Sequence, residues 1–364
     1  MKRRATVFLP ALLAIVLLTA CATTGSARKA AGPADTGLFP PPPDQPRVQF
    51  LLAITADTDI PGARRGIVRA IVGDAPLREL MRPRGVAVHD GVIYVADAKL
   101  HTVVTIDLEE KTFEWIHDDG PGKIGTPLGI ALDPEGRLYV ADVDRRQVLV
   151  YAPGDHRYLG AIGDPETLRP TDVITHDGRL YVADTHDHEI EIWDIETRER
   201  VGTIGREGEA LGEFKYPTFL AAGLDGYLYV TDTLNSRVQK LTFDGKPLGT
   251  IGKIGDWTGS LPRPKGIAAD EDGLVHVIDA GFENVQIFLP DGRPATFYGG
   301  FGDFKGHMYL PFEIAIDRSL LAHFRRQVDR RIRPRYIVLV TNQSGPHKLN
   351  IYVYGDPAQP GGEQ

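Results

Sequence analysis

The sequence predicts an all-β chain folded as a six-bladed β-propeller, with four-stranded blades and a short helical insertion in the sixth. Three observations carry this prediction. One unit recurs: a Pro opens a strand of small and aliphatic residues, and a second strand ends in Asp. Five copies align without gaps at their core. They are Pro83–His89 with Ile93–Asp97, Pro127–Asp133 with Leu138–Asp142, Pro170–His176 with Leu180–Asp184, Pro217–Gly223 with Leu228–Asp232, and Pro264–Asp270 with Val275–Asp279. A degenerate sixth copy runs Pro311–Asp317 and Ile337–Asn342, so the aspartate positions fall at intervals of 45, 42, 48, 47 and 63 residues. A period in the forties is the spacing of propeller blades. The third observation is the alternation of β-branched and aromatic residues between turns, in a chain holding 40 Gly and 27 Pro.

Each unit supplies four strands. Strand a follows the Pro. Strand b is the Leu-Tyr-Val-Ala-Asp run, reached through turns such as Asp133-Pro-Glu-Gly136 and Asp225-Gly226. Strand c is read in Val238–Leu241 and Val285–Phe288, and strand d in Val201–Ile204 and Pro247–Ile251. Blade six runs out of chain after a strand c at Leu349–Tyr354, so its outer strand is expected from the N-terminal side, at Arg47–Ile54. That closure gives blade six its fourth strand and leaves only short edges exposed. Residues 64–73 fit a short helix or a strand about equally. The propeller is thus placed at residues 47–354, followed by a Pro/Gly-rich tail over 355–364.

Blade six also carries an insertion, Arg318–Arg335, between strands a and b. It holds seven arginines against one acid, Asp329. Leu320, Leu321, Phe324, Val328 and Ile332 recur at nearly helical spacing, which predicts an amphipathic helix with a basic face centred on Arg325, Arg326, Arg330 and Arg331. Such a face is a solvated surface or a contact for an anionic partner.

The Pro-x-Gly-Ile-Ala strand starts, Ala183-Asp184-Thr185 and the run Asp232-Thr-Leu-Asn235-Ser-Arg237-Val238-Gln239 resemble the NHL-repeat family of β-propellers. The resemblance covers about residues 47–354. It implies the fold and does not name a chemistry.

Ahead of the repeats lies a segment that resembles a bacterial lipoprotein leader. Lys2, Arg3 and Arg4 precede an apolar stretch, Val7–Leu18, and Leu18-Thr19-Ala20-Cys21 resembles a lipobox with the chain's only cysteine at its end. The resemblance implies cleavage of residues 1–20 and a covalent lipid on Cys21, hence a membrane contact through the anchor. Ala22, rather than Asp, after the cysteine implies the outer membrane of a bacterial envelope. Residues 21–46, ending in Pro40–Pro43, are expected to form a Pro-rich tether.

Composition narrows function. Lys and Arg number 41 against 49 Asp and Glu, a net charge of −8, which argues against a general nucleic-acid binder. One cysteine permits no intramolecular disulfide, and no c-type haem attachment motif is present. Neither is a Gly-x-Ser-x-Gly, P-loop, His-Glu-x-x-His or dinucleotide fingerprint.

A residue present in nearly every blade performs a job every blade needs. The repeat aspartates are therefore expected to hold backbone N–H groups at the turns. Candidate functional residues are those that break the repeat. Asp172 and Glu313 stand where other blades have Gly, in blades that face each other across a six-fold ring. Arg84 and Lys265 lie one position earlier in blades one and five, so two carboxylates and two cations are expected at the channel mouth. His186 and His188 have a spacing that zinc sites use, without an evident third ligand. The long d-to-a connections carry Trp257, His307 and several other aromatics, on the face where loop-borne binding is expected.

By resemblance, amidating-lyase-type propellers hold zinc with channel histidines, and gluconolactonase-like propellers hold a divalent cation with Glu, Asn and Asp from different blades. Glu313, Asn342 and Asp172 are the right residue types, but their spacing does not match that pattern. No cofactor is predicted beyond the lipid, with a divalent cation left open. The reading is a membrane-anchored binding or scaffold module for a protein or glycan. The alternative is a metal-dependent hydrolase or lyase at the channel. An envelope electron-transfer complex is one setting in which similar lipoproteins would act.

Overall fold

The computed structural model describes residues 36–62, 77–116, 120–302 and 304–358. The leader, Cys21, the ambiguous segment 64–73 and the end of the tail lie outside the described residues.

Six antiparallel sheets form, one per repeat. In blades one to five the strands lie in the spatial order a-b-c-d, as in Pro170–His176, Arg179–Asp184, Glu189–Asp194 and Arg200–Ile204 of blade three. Blade six pairs Pro311–Asp317, Ile332–Asn342 and Leu349–Pro357 with Val48–Ile54 as its fourth strand, in the register Val48 to Tyr354 and Ile54 to Leu349. The expected N-terminal strand therefore closes the ring. Leu38–Phe39 adds a fifth strand outside it, with Leu38 paired to Gln49. Leu38 is buried and Phe39 packs 6.4 Å from the Tyr298 ring, so the part of the tether region from Thr36 onward is docked on the propeller.

Six apolar clusters account for the core, one at each junction between neighbouring blades. Tyr94 and Val103 of blade one meet Leu138 and Leu149 of blade two, and the series ends with Ile337 and Ile351 of blade six against Ile93 and Val104 of blade one. Flat sheets with two apolar faces cannot bury both alone, so radial stacking satisfies each face against the next blade.

The repeat aspartates hold the turns. The Asp97 carboxylate accepts N–H bonds from Met81, Arg82, Lys99 and Leu100, and Asp142 accepts them from Gly125, Thr126, Asp144 and Arg145. Each ties its own b–c turn to the d-to-a connection that enters the blade.

The blade-six insertion differs from the expected helix. Only Leu321–Phe324 is helical. Turns occupy residues 325–331, and strand b already begins at Ile332, which pairs with Pro357, so of the positions expected on the helix Ile332 lies in the sheet. Leu320 and Phe324 are buried in the junction of blades six and one. Gln49, on the fourth strand of blade six, donates to the Gln327 carbonyl and accepts the Asp329 N–H, so the insertion lies at the propeller's rim.

Candidate functional site

Strand a of every blade has a register shift against strand b directly after its Pro. A bulge re-aims the residues it contains. Here these are the two positions where the repeat is broken.

Asp172 is buried in the central channel. Its Oδ1 accepts the Val173 N–H at 2.8 Å and its Oδ2 the Leu220 N–H of blade four, also at 2.8 Å. Glu313 is likewise buried; its Oε1 accepts the Ile314 N–H at 3.1 Å, and its Oε2 has no hydrogen-bond partner. The glycines of the preceding blades make room for both. A Cβ on Gly129 would lie 2.0 Å from Asp172 Oδ1, and one on Gly266 would lie 2.5 Å from Glu313 Oε1. Small residue and acid are thus paired across adjacent blades.

Burial pushes the Asp172 carboxyl up to about 7, against the pull of its two N–H bonds. Glu313 is raised well above the carboxylate range by burial first and by the Asp172 charge second. The two titrate as a unit, because charging one opposes charging the other.

The cations do not meet the carboxylates. Arg84 lies 4.5 Å over the Phe312 ring, and Lys265 lies 5.8 Å from Phe312 and 5.9 Å from Phe219. Phe219 and Phe312 pack edge to face at 5.0 Å. Burial lowers the pKa of Arg84, and burial together with Arg263 and Arg84 lowers that of Lys265. The sequence suggests two carboxylates and two cations gathered at the channel mouth. The bulge instead separates cations on aromatic faces, at the loop end of the channel, from carboxylates one residue deeper. Phe219 and Phe312 were not singled out from the sequence, although they break the repeat at the same two positions.

Beyond the carboxylates a cavity of about 260 Å³ runs toward the a–b turns. Asp172, Glu313 and Thr175 are its only polar lining residues; aliphatic side chains such as Val86, Ile130, Leu220 and Ile316 supply the rest.

The other candidates lie apart from this channel. The His188 Nδ1 accepts the Tyr216 N–H at 2.8 Å, whereas His186 is half exposed beside Asp187. Asn342 takes the place of a repeat aspartate, accepting the Tyr309 N–H, and does not line the cavity with Glu313 and Asp172. Among the described residues no group of three or more His, Cys, Asp and Glu is placed to hold a metal. The Glu-Asn-Asp set therefore does not fit a shared cation.

The loop face carries most of the exposed large hydrophobic residues. Strand polarity puts the d-to-a connections and the b–c turns on one side of the ring. Ten of the fourteen exposed large hydrophobic residues among the described ones fall there, including Leu211, Leu234, Ile254, Trp257, Phe301 and Phe304. Ile254 is 73% exposed and Phe301 70%. The His307 Nδ1 contacts the Phe301 carbonyl, which holds that loop folded while Phe301 and Phe304 face solvent. On the rim, Arg325, Arg326, Arg330 and Arg331 are exposed, and Arg331 spends its fork on Asp329 at 2.9 Å.

No family model matches the chain. Solved structures similar in fold include a gluconolactonase from Xanthomonas campestris, 16% identical with a TM-score of 0.56, covering 84% of this chain and 98% of that one. Virginiamycin B lyase from Staphylococcus aureus is 14% identical with a TM-score of 0.51, covering 75% and 94%. A Bacteroides thetaiotaomicron protein of unknown function is 18% identical with a TM-score of 0.56, covering 77% and 71%. At these identities the likeness establishes the six-bladed propeller and nothing finer.

Proposed function

We propose that this chain is a membrane-anchored, extracytoplasmic binding module of NHL type that engages a protein partner through its loop face. The observation that supports this reading is the concentration of exposed apolar side chains on the loops of one face. A monomer rarely leaves contiguous apolar area uncovered unless that area meets something. Aromatic anchors such as Trp257, Phe301 and Phe304 are the residue types that dominate binding energy at interfaces. The anchor is proposed to be a lipid on Cys21 in the outer membrane. No helix among the described residues is long and apolar enough to cross a membrane. Cys21→Ser should accordingly release the protein from membranes.

The loop face is tested by Trp257→Ala, Phe301→Ala and Phe304→Ala in the lipidated chain. These exposed side chains contribute little to folding, so the melting temperature should stay close to wild type. Co-purification of the partner from detergent-solubilised envelope should fall at least tenfold. Unchanged recovery with all three replaced would remove the loop face from consideration.

A second reading, a hydrolase or lyase at the channel, takes its support from the coupled Asp172–Glu313 pair and from the enzymes named among the structural neighbours. Metal content of the purified protein separates the two readings. Stoichiometric, tightly held calcium or zinc would favour the enzyme over the binding module.

A further inference from the structure

The central channel holds two buried carboxyl groups for which the described residues supply no counter-ion. Asp172 and Glu313 lie at one end of the 260 Å³ cavity, and no described cation forms an ion pair with either. The two cations nearest in the repeat, Arg84 and Lys265, are held on the Phe312 ring. Three of the four carboxylate oxygens already accept one backbone N–H each, and the fourth, Glu313 Oε2, is buried with no partner. An unpaired buried carboxylate is unfavourable unless it stays protonated or a ligand completes it.

The wall selects among cations. Calcium takes six to eight oxygen ligands, and the smaller magnesium sheds its water reluctantly. Beyond the two carboxylates the only side-chain oxygen lining this cavity is that of Thr175, whose hydroxyl already donates to the Leu132 carbonyl at 3.0 Å. The remaining side chains of the wall are aliphatic, Val86, Ile130, Ile267 and Ile316 among others. An ammonium head presents three N–H donors in a compact group, one of which can complete the unpartnered Glu313 Oε2. An alkyl chain behind it would bury against the aliphatic wall. We propose that the channel binds a primary ammonium on an unbranched alkyl chain, its head between Asp172 and Glu313 and its chain running toward the a–b turns. A free amine and the side chain of an inserted lysine share this chemistry. The site lies on the channel axis, and the proposal stands independently of the loop-face reading.

The test uses the purified full-length chain at pH 8 with n-pentylammonium chloride as the probe, read by calorimetry and by thermal shift. Saturable binding is expected, weakening at least tenfold from pentyl- to methylammonium, with n-pentanol inactive. Glu313→Gln should fold, because its amide NH2 can take the position of the unpartnered Oε2, and should lose pentylammonium binding at least tenfold. The chain-length series on wild type keeps the proposal testable should that variant fail to fold. An N-acetyl-lysine methyl ester titration separates the two sources: lysine insertion predicts that it binds, whereas a site for free amines alone predicts that only the unsubstituted chain does. No saturable pentylammonium binding up to about 10 mM would overturn the proposal. So would equal binding of n-pentanol, or calcium binding that Glu313→Gln abolishes while pentylammonium has no effect.

Discussion

Asp172 and Glu313 show how one side chain in a repeat can change the chemistry of a channel. In the preceding blades the same backbone position is glycine, and Gly129 and Gly266 sit against the carboxylates with no room for a Cβ. Both acids have native pKa values above those of the unfolded chain. Their ionisation therefore opposes folding: the effect is absent below the ordinary carboxylate range and grows as pH rises from about 4 through 7. Glu313→Gln should match wild type in thermal stability at pH 4 and exceed it at pH 8 by about 1–3 kcal/mol. Asp172→Asn should not show this gain. Both Asp172 oxygens accept N–H bonds, so either orientation of the amide turns an NH2 group onto a donor. The repeat aspartates predict a contrasting result. Asp97→Ala strands four backbone N–H groups and should cost about 2–4 kcal/mol in urea unfolding at neutral pH.

Among the elements, the closing strand carries most weight. Val48–Ile54 completes blade six, and Ile54 reaches the blade-six to blade-one core. Deleting residues 47–54 should abolish cooperative unfolding, whereas deleting residues 22–34 should leave the melting temperature within about 2 °C of wild type. Thr36–Pro46 is intermediate, because Leu38 and Phe39 pack on blade six. The rim insertion tests differently. Replacing Arg325, Arg326, Arg330 and Arg331 with Gln should leave unfolding within about 0.5 kcal/mol per site. If the patch is a contact for an anionic partner such as a lipid surface, the same variant should bind anionic vesicles less well at low salt and equally poorly at high salt.

The strands and their closure were legible in the sequence because the repeat states its period, and the missing outer strand of blade six had one candidate. The insertion's helix was overread. Helical spacing of Leu320, Phe324 and Ile332 says which residues face inward, but it does not show that the chain turns after Phe324 and enters a strand at Ile332. The channel was half legible. Broken repeat positions identified Asp172, Glu313, Arg84 and Lys265, while a bulge, which leaves no mark in residue spacing, decided that acids and cations point to different places. His276 carried a similar clue, replacing the tyrosine of strand b. It is fully buried, its Nε2 lies 3.0 Å from the Tyr336 hydroxyl, and Tyr336 donates to Asp270 at 3.1 Å. Burial lowers the His276 pKa to about 3, so it serves as a neutral donor joining blades five and six.

At the scale of the whole molecule, the ring is a rigid frame with two unlike ends. The loop end is plugged by Phe219, Phe312, Arg84 and Lys265 and surrounded by exposed aromatics. The turn end opens to an aliphatic channel with carboxylates at its far end. Site-specific photo-crosslinking in intact cells compares the two faces most directly. A photoreactive residue is placed at Trp257 or Phe301 on the loop face, and at Leu224 or Asp177 on the turn face. The proposed function predicts one discrete protein adduct from both loop positions, and none from the turn positions. Adducts formed equally from both faces, or from the turn face alone, would contradict it.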